Sequence, residues 1–336
     1  MVTIADVARH AGVAPSTVSY VLSGKRAISA ATRARVQAAV RELGYHPHAG
    51  ARALASNRAN VIALVLPLRS GMHLPVLMQF AITVVTTARQ YDHDVLLVTS
   101  DEGVAGLQRV AASAMVDGLV LMDVELHDVR VPALRKLDRP SVLIGVPADT
   151  TGLTCVDLDF MAAGERCVEH LVALGHRHIA LVGAPPAVYE RETGFAERTR
   201  SGFIAAVQRH GLQAITTPCE DTYEGVRATV TELFAAYPNL TGLVVHNEAA
   251  IDPLMDVLRG MGRRVPEEVS VVAICPDEMA ERRSPPLSSV LIPAHELGQE
   301  AVTLLMRKLD GHPTEELTLL APRLTARGST APPSAV

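Results

Sequence analysis

Thr3-Ile4-Ala5-Asp6-Val7-Ala8-Arg9-His10-Ala11-Gly12-Val13-Ala14-Pro15-Ser16-Thr17-Val18-Ser19-Tyr20-Val21-Leu22 is the stretch that decides the fold. Ile4, Val7, Ala8 and Ala11 recur at the spacing that lays an apolar stripe along one helix face, and Thr3 with Asp6 forms a Thr-x-x-acid cap. Gly12 stops that helix. A second one starts at Pro15, whose fixed φ suits a first helical position, and is expected to bury Val18, Val21 and Leu22 with Ser16, Thr17 and Tyr20 on the other side. Helices this short are unstable alone. Braced by a third, from Ser29 and Thr32 through Val36, Ala39, Val40 and Leu43 to Gly44, they close one small core. Two short helices at a steep angle on such a support read as a helix-turn-helix, whose second helix enters the major groove.

Charge agrees with this reading. The 336-residue chain carries a formal net charge of -5, which hides a split. Up to Ala59 eight basic residues stand against two acidic ones, a balance of +6, so the remainder carries -11. A basic head on an acidic body meets polyphosphate with the head alone, and binding should weaken steeply with salt.

The N-terminal residues closely resemble the lactose repressor family of transcription regulators. The resemblance rests on Thr3-Ile4-Ala5-Asp6-Val7-Ala8, Ala11-Gly12-Val13, Ser16-Thr17-Val18-Ser19, Val21-Leu22, Thr32-Arg33, Val36 and Glu42-Leu43-Gly44-Tyr45-His46-Pro47. It implies that Pro15, Ser16 and Tyr20 read base edges, with Thr3, Ser19, Lys25, Arg26 and Arg33 near phosphates and Thr17 also among the DNA-binding residues. Two positions depart from the pattern. Ala14 replaces the usual capping serine, a loss of about 1 kcal/mol. Tyr20 stands where many members carry arginine, so base preference there does not carry over. His48 to Arg58 follows as an Ala-rich segment, and Ala51-Arg52-x-Leu54 is similar to the family's hinge helix, which implies Leu54 as a wedge in the minor groove beside Ala51. A helix of about eight residues is marginal alone.

From Asn60 the texture changes to apolar strand-length runs alternating with amphipathic helices. The strands are Val61 to Leu66, Asp94 to Thr99, Gly118 to Met122, Ser141 to Gly145, Ile179 to Gly183, Gly242 to His246 and Val269 to Ile274. The helices are Leu74 to Tyr91, Gly103 to Met115, Val131 to Leu137, Met161 to Leu174, Arg200 to His210, Gly225 to Tyr237, Ala249 to Met261 and His295 to Leu309. This alternation implies α/β architecture with two parallel-sheet, Rossmann-like lobes and a cleft where the strands end. The body is similar to the family's periplasmic-binding-protein-like sensor through Glu169-His170-Leu171, Leu174-Gly175-His176-Arg177, Gly202-Phe203, Asn247-Glu248, Val265-Pro266-Glu267 and Pro285-Pro286-Leu287. That likeness implies that a late segment near Leu297 to Leu309 returns to the first lobe. The domains expected are a helix-turn-helix head over 1–46, a hinge over 47–59, an effector-binding and dimerisation body over 60–330, and a flexible tail over 331–336.

Arg69, Asp123, Arg191, Arg198, Asn247 and Asp277 are the polar candidates for effector binding at strand ends. Asn247 holds the position where sugar-binding relatives keep an asparagine. Thr199, flanked by Arg198, replaces their arginine, and Ala273-Ile274-Cys275-Pro276-Asp277 replaces a Gly-Phe-Asp-Asp run. The resemblance makes a sugar the expected small-molecule effector, while acidic metabolites drawn by Arg69 or Arg191 stay open. The apolar face of Leu77, Phe80, Ala81 and Val84 is the candidate interlobe or intersubunit surface.

Other classes find little support. No Gly-x-Gly-x-x-Gly follows a strand, no Gly-x-Ser-x-Gly elbow is present, and nothing assembles a nucleophile, base and oxyanion donors, so no catalytic site and no cofactor are expected. Cys155, Cys167, Cys219 and Cys275 lack the spacing of a zinc or disulfide framework, and His170, His176 and His178 fall on a helix end and its turn, so no metal is expected. With no signal-like apolar block and no membrane-length run, the chain is expected to be cytoplasmic with no membrane partner. The reading is a homodimeric repressor that binds a pseudo-palindromic DNA operator under effector control. The alternatives are an effector-insensitive regulator, or a sugar-binding or sugar-modifying α/β protein.

Overall fold

The computed structural model describes residues 2–23, 26–45, 58–113 and 115–334. The head is three helices, α1 (Ile4–Ala11), α2 (Pro15–Ser23) and α3 (Ala30–Glu42). Thr3 and Asp6 close the full capping box: the Asp6 carboxylate accepts from the Thr3 backbone N–H at 2.9 Å, and the Asp6 N–H donates to Thr3 Oγ1 at 3.4 Å. Gly12 ends α1 at φ +63°, a conformation that disfavours any side chain. Ser29 caps α3 by accepting from the Thr32 N–H. α2 begins on the Ala14 carbonyl, which takes the Thr17 and Val18 N–H groups, and Ala14 has no side-chain oxygen to add.

Val7, Ala8, Ala11, Val18, Val36 and Ala39 form the head's core, and Tyr45 closes it from beyond α3. Leu22, expected in this core, is instead 39% exposed. The contact face of α2 is centred between Val18 and Val21, and at 3.6 residues per turn Thr17 and Leu22 flank that centre by about 70° on either side. Thr17 is therefore half-buried, while Leu22 stays outside the core.

The body has two lobes. The first runs β1 (Val61–Val65), α4 (Leu74–Gln90), β2 (Asp94–Val98), α5 (Gly103–Ala112), β3 (Gly118–Leu121), α6 (Val131–Leu134), β4 (Ser141–Ile144) and β5 (Cys155–Leu158). The second runs α7 (Phe160–Ala173), β6 (His178–Val182), α8 (Pro186–Glu190), α9 (Gly194–His210), β7 (Gln213–Thr217), α10 (Tyr223–Ala236), β8 (Gly242–Val245), a short 3-10 turn Glu248–Ala250, α11 (Ile251–Gly260), β9 (Ser270–Cys275), α12 (Asp277–Glu281) and β10 (Ser288–Leu291). The chain then returns to the first lobe as α13 (Ala294–Leu309) and β11 (Leu317–Leu320), and crosses once more to place β12 (Leu324–Thr325) in the second. The late return over Leu297 to Leu309 is thus present.

The sheet orders are β11-β5-β4-β3-β1-β2 and β12-β10-β9-β8-β6-β7, with every pairing parallel except β10 with β12. Strands buried on both faces, such as Gly118–Leu121 and Ser270–Cys275, read as continuous apolar runs. In each sheet the order reverses beside one strand, at β1/β3 and at β6/β8. A crevice therefore opens at the carboxyl ends of those strands.

The face of α4 that carries Leu77, Phe80, Ala81 and Val84 turns inward. Ala81 and Val84 lie in the lobe's core, Leu77 and Phe80 line the cleft, and none forms an outer surface. The reason is α13, which crosses so close that a Cβ on Gly298 would sit 2.9 Å from Thr83. The outward face instead exposes Leu74, Met78, Ile82 and Val85.

Residues 331–334 are attached rather than free. Ala331 N–H donates to Ser270 Oγ at 3.0 Å, and Ser334 Oγ donates to the Glu267 carbonyl at 2.7 Å. At the other end, the Asp117 carboxylate accepts from the backbone N–H groups of Ala59 and Asn60, both at 2.7 Å, where the chain enters β1. Arg58 bonds the Leu309 carbonyl and Asp310. Among the described residues no helix is long and apolar enough to cross a membrane.

α7 and α9 cross through reciprocal glycines. A Cβ on Gly164 would meet the Thr199 carbonyl oxygen at 2.3 Å, and one on Gly202 the Met161 carbonyl oxygen at 1.9 Å. Backbone cannot yield as a side-chain tip can, so Gly202→Ala should destabilise the body by about 1–3 kcal/mol, measured by urea unfolding followed by circular dichroism.

Candidate nucleic-acid interface and interlobe cleft

On the head, Pro15, Ser16 and Tyr20 are exposed along one side of α2, with Thr17 and Ser19 half-buried beside them. The guanidinium of Arg26 stands 5.9 Å from the centre of the Tyr20 ring, within reach of a cation–π contact. Tyr20 and Arg26 therefore present themselves together. Thr3 is exposed at the start of α1, and its hydroxyl already donates to Asp6 at 2.7 Å. Arg33 is exposed on the first turn of α3. Lys25, Ala51 and Leu54, with nearly all of the expected hinge, lie outside the described residues.

In the body, the loops at the two switch crevices face each other across a cavity of about 130 Å³. Gly71, Met72 and His73 reach it after β1, Met122 and Asp123 after β3, Gly145 after β4, and Asp157 with Phe160 around the end of β5. From the other lobe come Ala184 and Pro185 after β6, and His246, Asn247 and Glu248 after β8. The walls touch. A Cβ on Gly71 would lie 3.1 Å from Pro185 and 3.2 Å from Val188, and Arg191 Nη2 donates to the Ser70 carbonyl at 3.3 Å.

Of the six effector candidates, Asp123, Arg191 and Asn247 line this cavity and Arg69, Arg198 and Asp277 do not. Arg69 sits behind it, bonded to Asp101 at 2.8 Å, Asp123 at 2.9 Å and Glu125 at 2.7 Å. Arg198 donates to the carbonyls of Val146 and Pro147, tying α9 to the first lobe. Asp277 pairs with Arg327 at 2.8 Å. Each has a partner inside the protein, which removes it from the cleft. Asn247 is 4% exposed, and its amide nitrogen donates to the Cys219 carbonyl at 2.8 Å, leaving its oxygen for a ligand.

Sequence reasoning missed the cavity's floor. Phe160 stacks on His246 at 5.5 Å, Phe195 meets the same ring edge-on at 5.5 Å, and the two phenylalanines are 5.8 Å apart. Burial pushes His246 down to about 4, so its ring is neutral, and its Nδ1 has no partner among the described residues. Nε2 of His73 and Nε of Arg191 are likewise buried without one. Burial also lifts two carboxyls. Asp157 is pushed up to about 7 against the Leu158 N–H and Arg198, and Glu248 to about 7 against its own backbone N–H. Buried polar atoms without partners are rare in folded proteins, and here they gather where a ligand would satisfy them. Asp157 gave no signal because it lies inside a strand rather than after one.

A three-helix DNA-reading head joined to a two-lobed ligand receptor defines a DNA-binding transcriptional regulator. Residues 3–48 match the family described as bacterial regulatory proteins, lacI family, and residues 168–330 match the periplasmic binding protein-like domain. The regulator CelR of Thermobifida fusca is 30% identical over 95% of each chain, and the catabolite control protein A of Staphylococcus xylosus is 28% identical over 98% of this chain and 99% of its own. Among solved structures, the lac repressor dimer bound to operator and the anti-inducer ONPF is 25% identical with a TM-score of 0.84, covering 98% of this chain and 99% of that one. The CelR–cellobiose complex is 28% identical with a TM-score of 0.70, covering 98% and 100%. The chain belongs to the lacI family, which is made up of transcriptional regulators rather than enzymes.

Arg69 holds three carboxylates, one of them on Asp123, whose side chain is only 3% exposed. Arg69→Ala leaves that acid buried and unpaired and should cost about 3 kcal/mol or more in chemical denaturation. The same change at Arg109, paired on the surface with Glu102, should barely register.

Proposed function

We propose that this chain is a homodimeric repressor whose grip on a pseudo-palindromic operator is set by a carbohydrate held between its lobes. The observation that carries this reading is the closed cleft at the two switch crevices, with partnerless polar atoms facing it, in the same chain as a capped helix-turn-helix. Pro15, Ser16, Thr17 and Tyr20 read base edges, with Arg26 beside Tyr20. Thr3, Ser19, Lys25 and Arg33 hold phosphates. Residues 47–59 form the joint, with Ala51 and Leu54 at the minor groove. The regulator works in the cytoplasm, where its DNA is.

The relatives' ligands point to the effector class, since one solved relative holds cellobiose. The cleft supports a sugar through its ring faces at Phe160 and Phe195 and its hydrogen-bonding groups at Asp123, Asp157, Arg191, Asn247 and Glu248. It speaks against an anion. Arg69 is already neutralised, and Arg191 shares the cavity lining with four acids, Asp123, Asp157, Asp221 and Glu248. These groups bind the sugar and do not turn it over.

Dimerisation uses the outward face of α4. Leu74, Met78, Ile82 and Val85 repeat along one helix side as an exposed apolar stripe, which water disfavours until a second copy covers it. Ile82→Glu should shift the protein to monomers in sedimentation velocity and lower operator affinity at least tenfold.

Fluorescence anisotropy on an operator selected from random duplexes tests the DNA reading. Affinity should fall steeply with salt. Leu54→Ala should weaken operator binding much more than binding to random duplex, and equal losses on both would remove the wedge. A carbohydrate that raises the melting temperature should change operator affinity in the same preparation.

A further inference from the structure

The cleft is short of positive charge and rich in acid and aromatic surface. Of the guanidiniums around it, Arg69 is held by three carboxylates, Arg130 by Asp128 at 2.7 Å, and Arg198 by two backbone carbonyls. Arg191 is the one guanidinium of the four that lines the cavity; its Nη2 donates to the Ser70 carbonyl and its buried Nε has no partner among the described residues, so a single cation stands there against several acids. Against these stand Asp157, Asp221 and Glu248, which line the cavity and make no ion pair among the described residues. Asp157 comes from the first lobe and Glu248 from the second, so acid faces the ligand from both walls. A second, independent feature marks the same place: His246, 3% exposed, packs against the rings of both Phe160 and Phe195, and its Nδ1 has no partner among the described residues.

We infer that the effector carries a protonated nitrogen, seated on the Phe160 and Phe195 faces with Asp157 and Glu248 as its counter-charges, so that the cleft takes an amino sugar. This rests on the carbohydrate reading above and narrows it. A cation is attracted to an aromatic face and to carboxylates at once, and both attractions strengthen where water is excluded. A neutral sugar would leave the carboxyls of Asp157 and Glu248 in the lining without a counter-charge supplied by the ligand. An ammonium group draws the walls together.

The state of the two acids agrees. Burial pushes both up to about 7. At Asp157 the Leu158 N–H and Arg198 oppose it while Asp159 adds to it, and at Glu248 only its own backbone N–H opposes it. The thiols of Cys155 and Cys275 also face these acids, and burial holds both thiols protonated. Near neutrality each acid therefore carries a proton part of the time, and a bound cation expels it. Binding releases protons, and affinity rises from pH 5.5 to pH 7 as fewer remain to be displaced.

The test is isothermal titration of the full chain with D-glucosamine, D-glucose and N-acetyl-D-glucosamine, which share a ring and differ in charge. At pH 7, in two buffers of different ionisation enthalpy, glucosamine should bind at least tenfold tighter than either neutral sugar and release protons. Its affinity should fall several-fold at pH 5.5. Glu248→Gln and Asp157→Asn, isosteric and uncharged, should each cost tenfold or more while leaving the unliganded melting temperature unchanged or raised. Glucose or N-acetylglucosamine binding as tightly as glucosamine, glucosamine failing to bind, or E248Q binding it like the parent would each overturn the inference. If a neutral sugar binds and shifts operator affinity, the sugar-controlled regulator stands and only the charged effector falls. If no sugar binds or changes operator affinity, both fall.

Discussion

The cleft depends on one constraint of chain path: the polypeptide passes three times between its two sheets, after β5, after β10 and after β11. Three neighbouring crossings let the lobes turn about a common line while forbidding them to separate. The crossings also hold one another in place. The Asp159 N–H donates to the Leu320 carbonyl at 2.9 Å and the Leu291 N–H to the Arg323 carbonyl at 3.1 Å. With the lobes fixed along that line, the reversal of strand order in each sheet points both crevices into one shared space. The ligand site then follows from topology before any side chain is chosen.

The side chains chosen there show a division of labour. Cations near the cleft are used mostly as structural fasteners, and acids are left lining the cavity. Asp123 adopts φ +53°, an uncommon conformation for a residue with a side chain, and Arg69 pairs with it from behind. The head does the reverse, since Arg26 and Arg33 are exposed and the local charge is positive. One chain thereby keeps two surfaces of opposite sign, and neither competes for the other's ligand.

Much of this was legible in the sequence. The capped first helix, Gly12 as its stop, the continuous apolar strands and the long amphipathic helices all carry local signals strong enough to survive folding. What was not legible depends on distant partners. β7 and β11 are short edge strands whose runs are broken by polar residues and only partly buried, and β10 begins with two serines that are buried because residues late in the chain satisfy them: the Ser288 N–H donates to Ser329 Oγ at 2.8 Å. The inward turn of the Leu77, Phe80, Ala81 and Val84 face was hidden for the same reason, because α13 arrives from more than 200 residues away. In the cleft, charged residues after strands drew attention, yet three of the six are consumed by internal bonds. The Phe160, Phe195 and His246 floor, split among three elements, left no mark at all.

The carboxylate of Asp117, fastened to two consecutive backbone N–H groups where the chain enters the first strand, gives the joint no slack on its body side. A loosely tethered exit would absorb small displacements of the first lobe as thermal wobble and pass none of them on. A clamped exit transmits them. In the dimer proposed above, two copies gripped this way would carry a turn of a few degrees at the lobes directly into the spacing of their two exits.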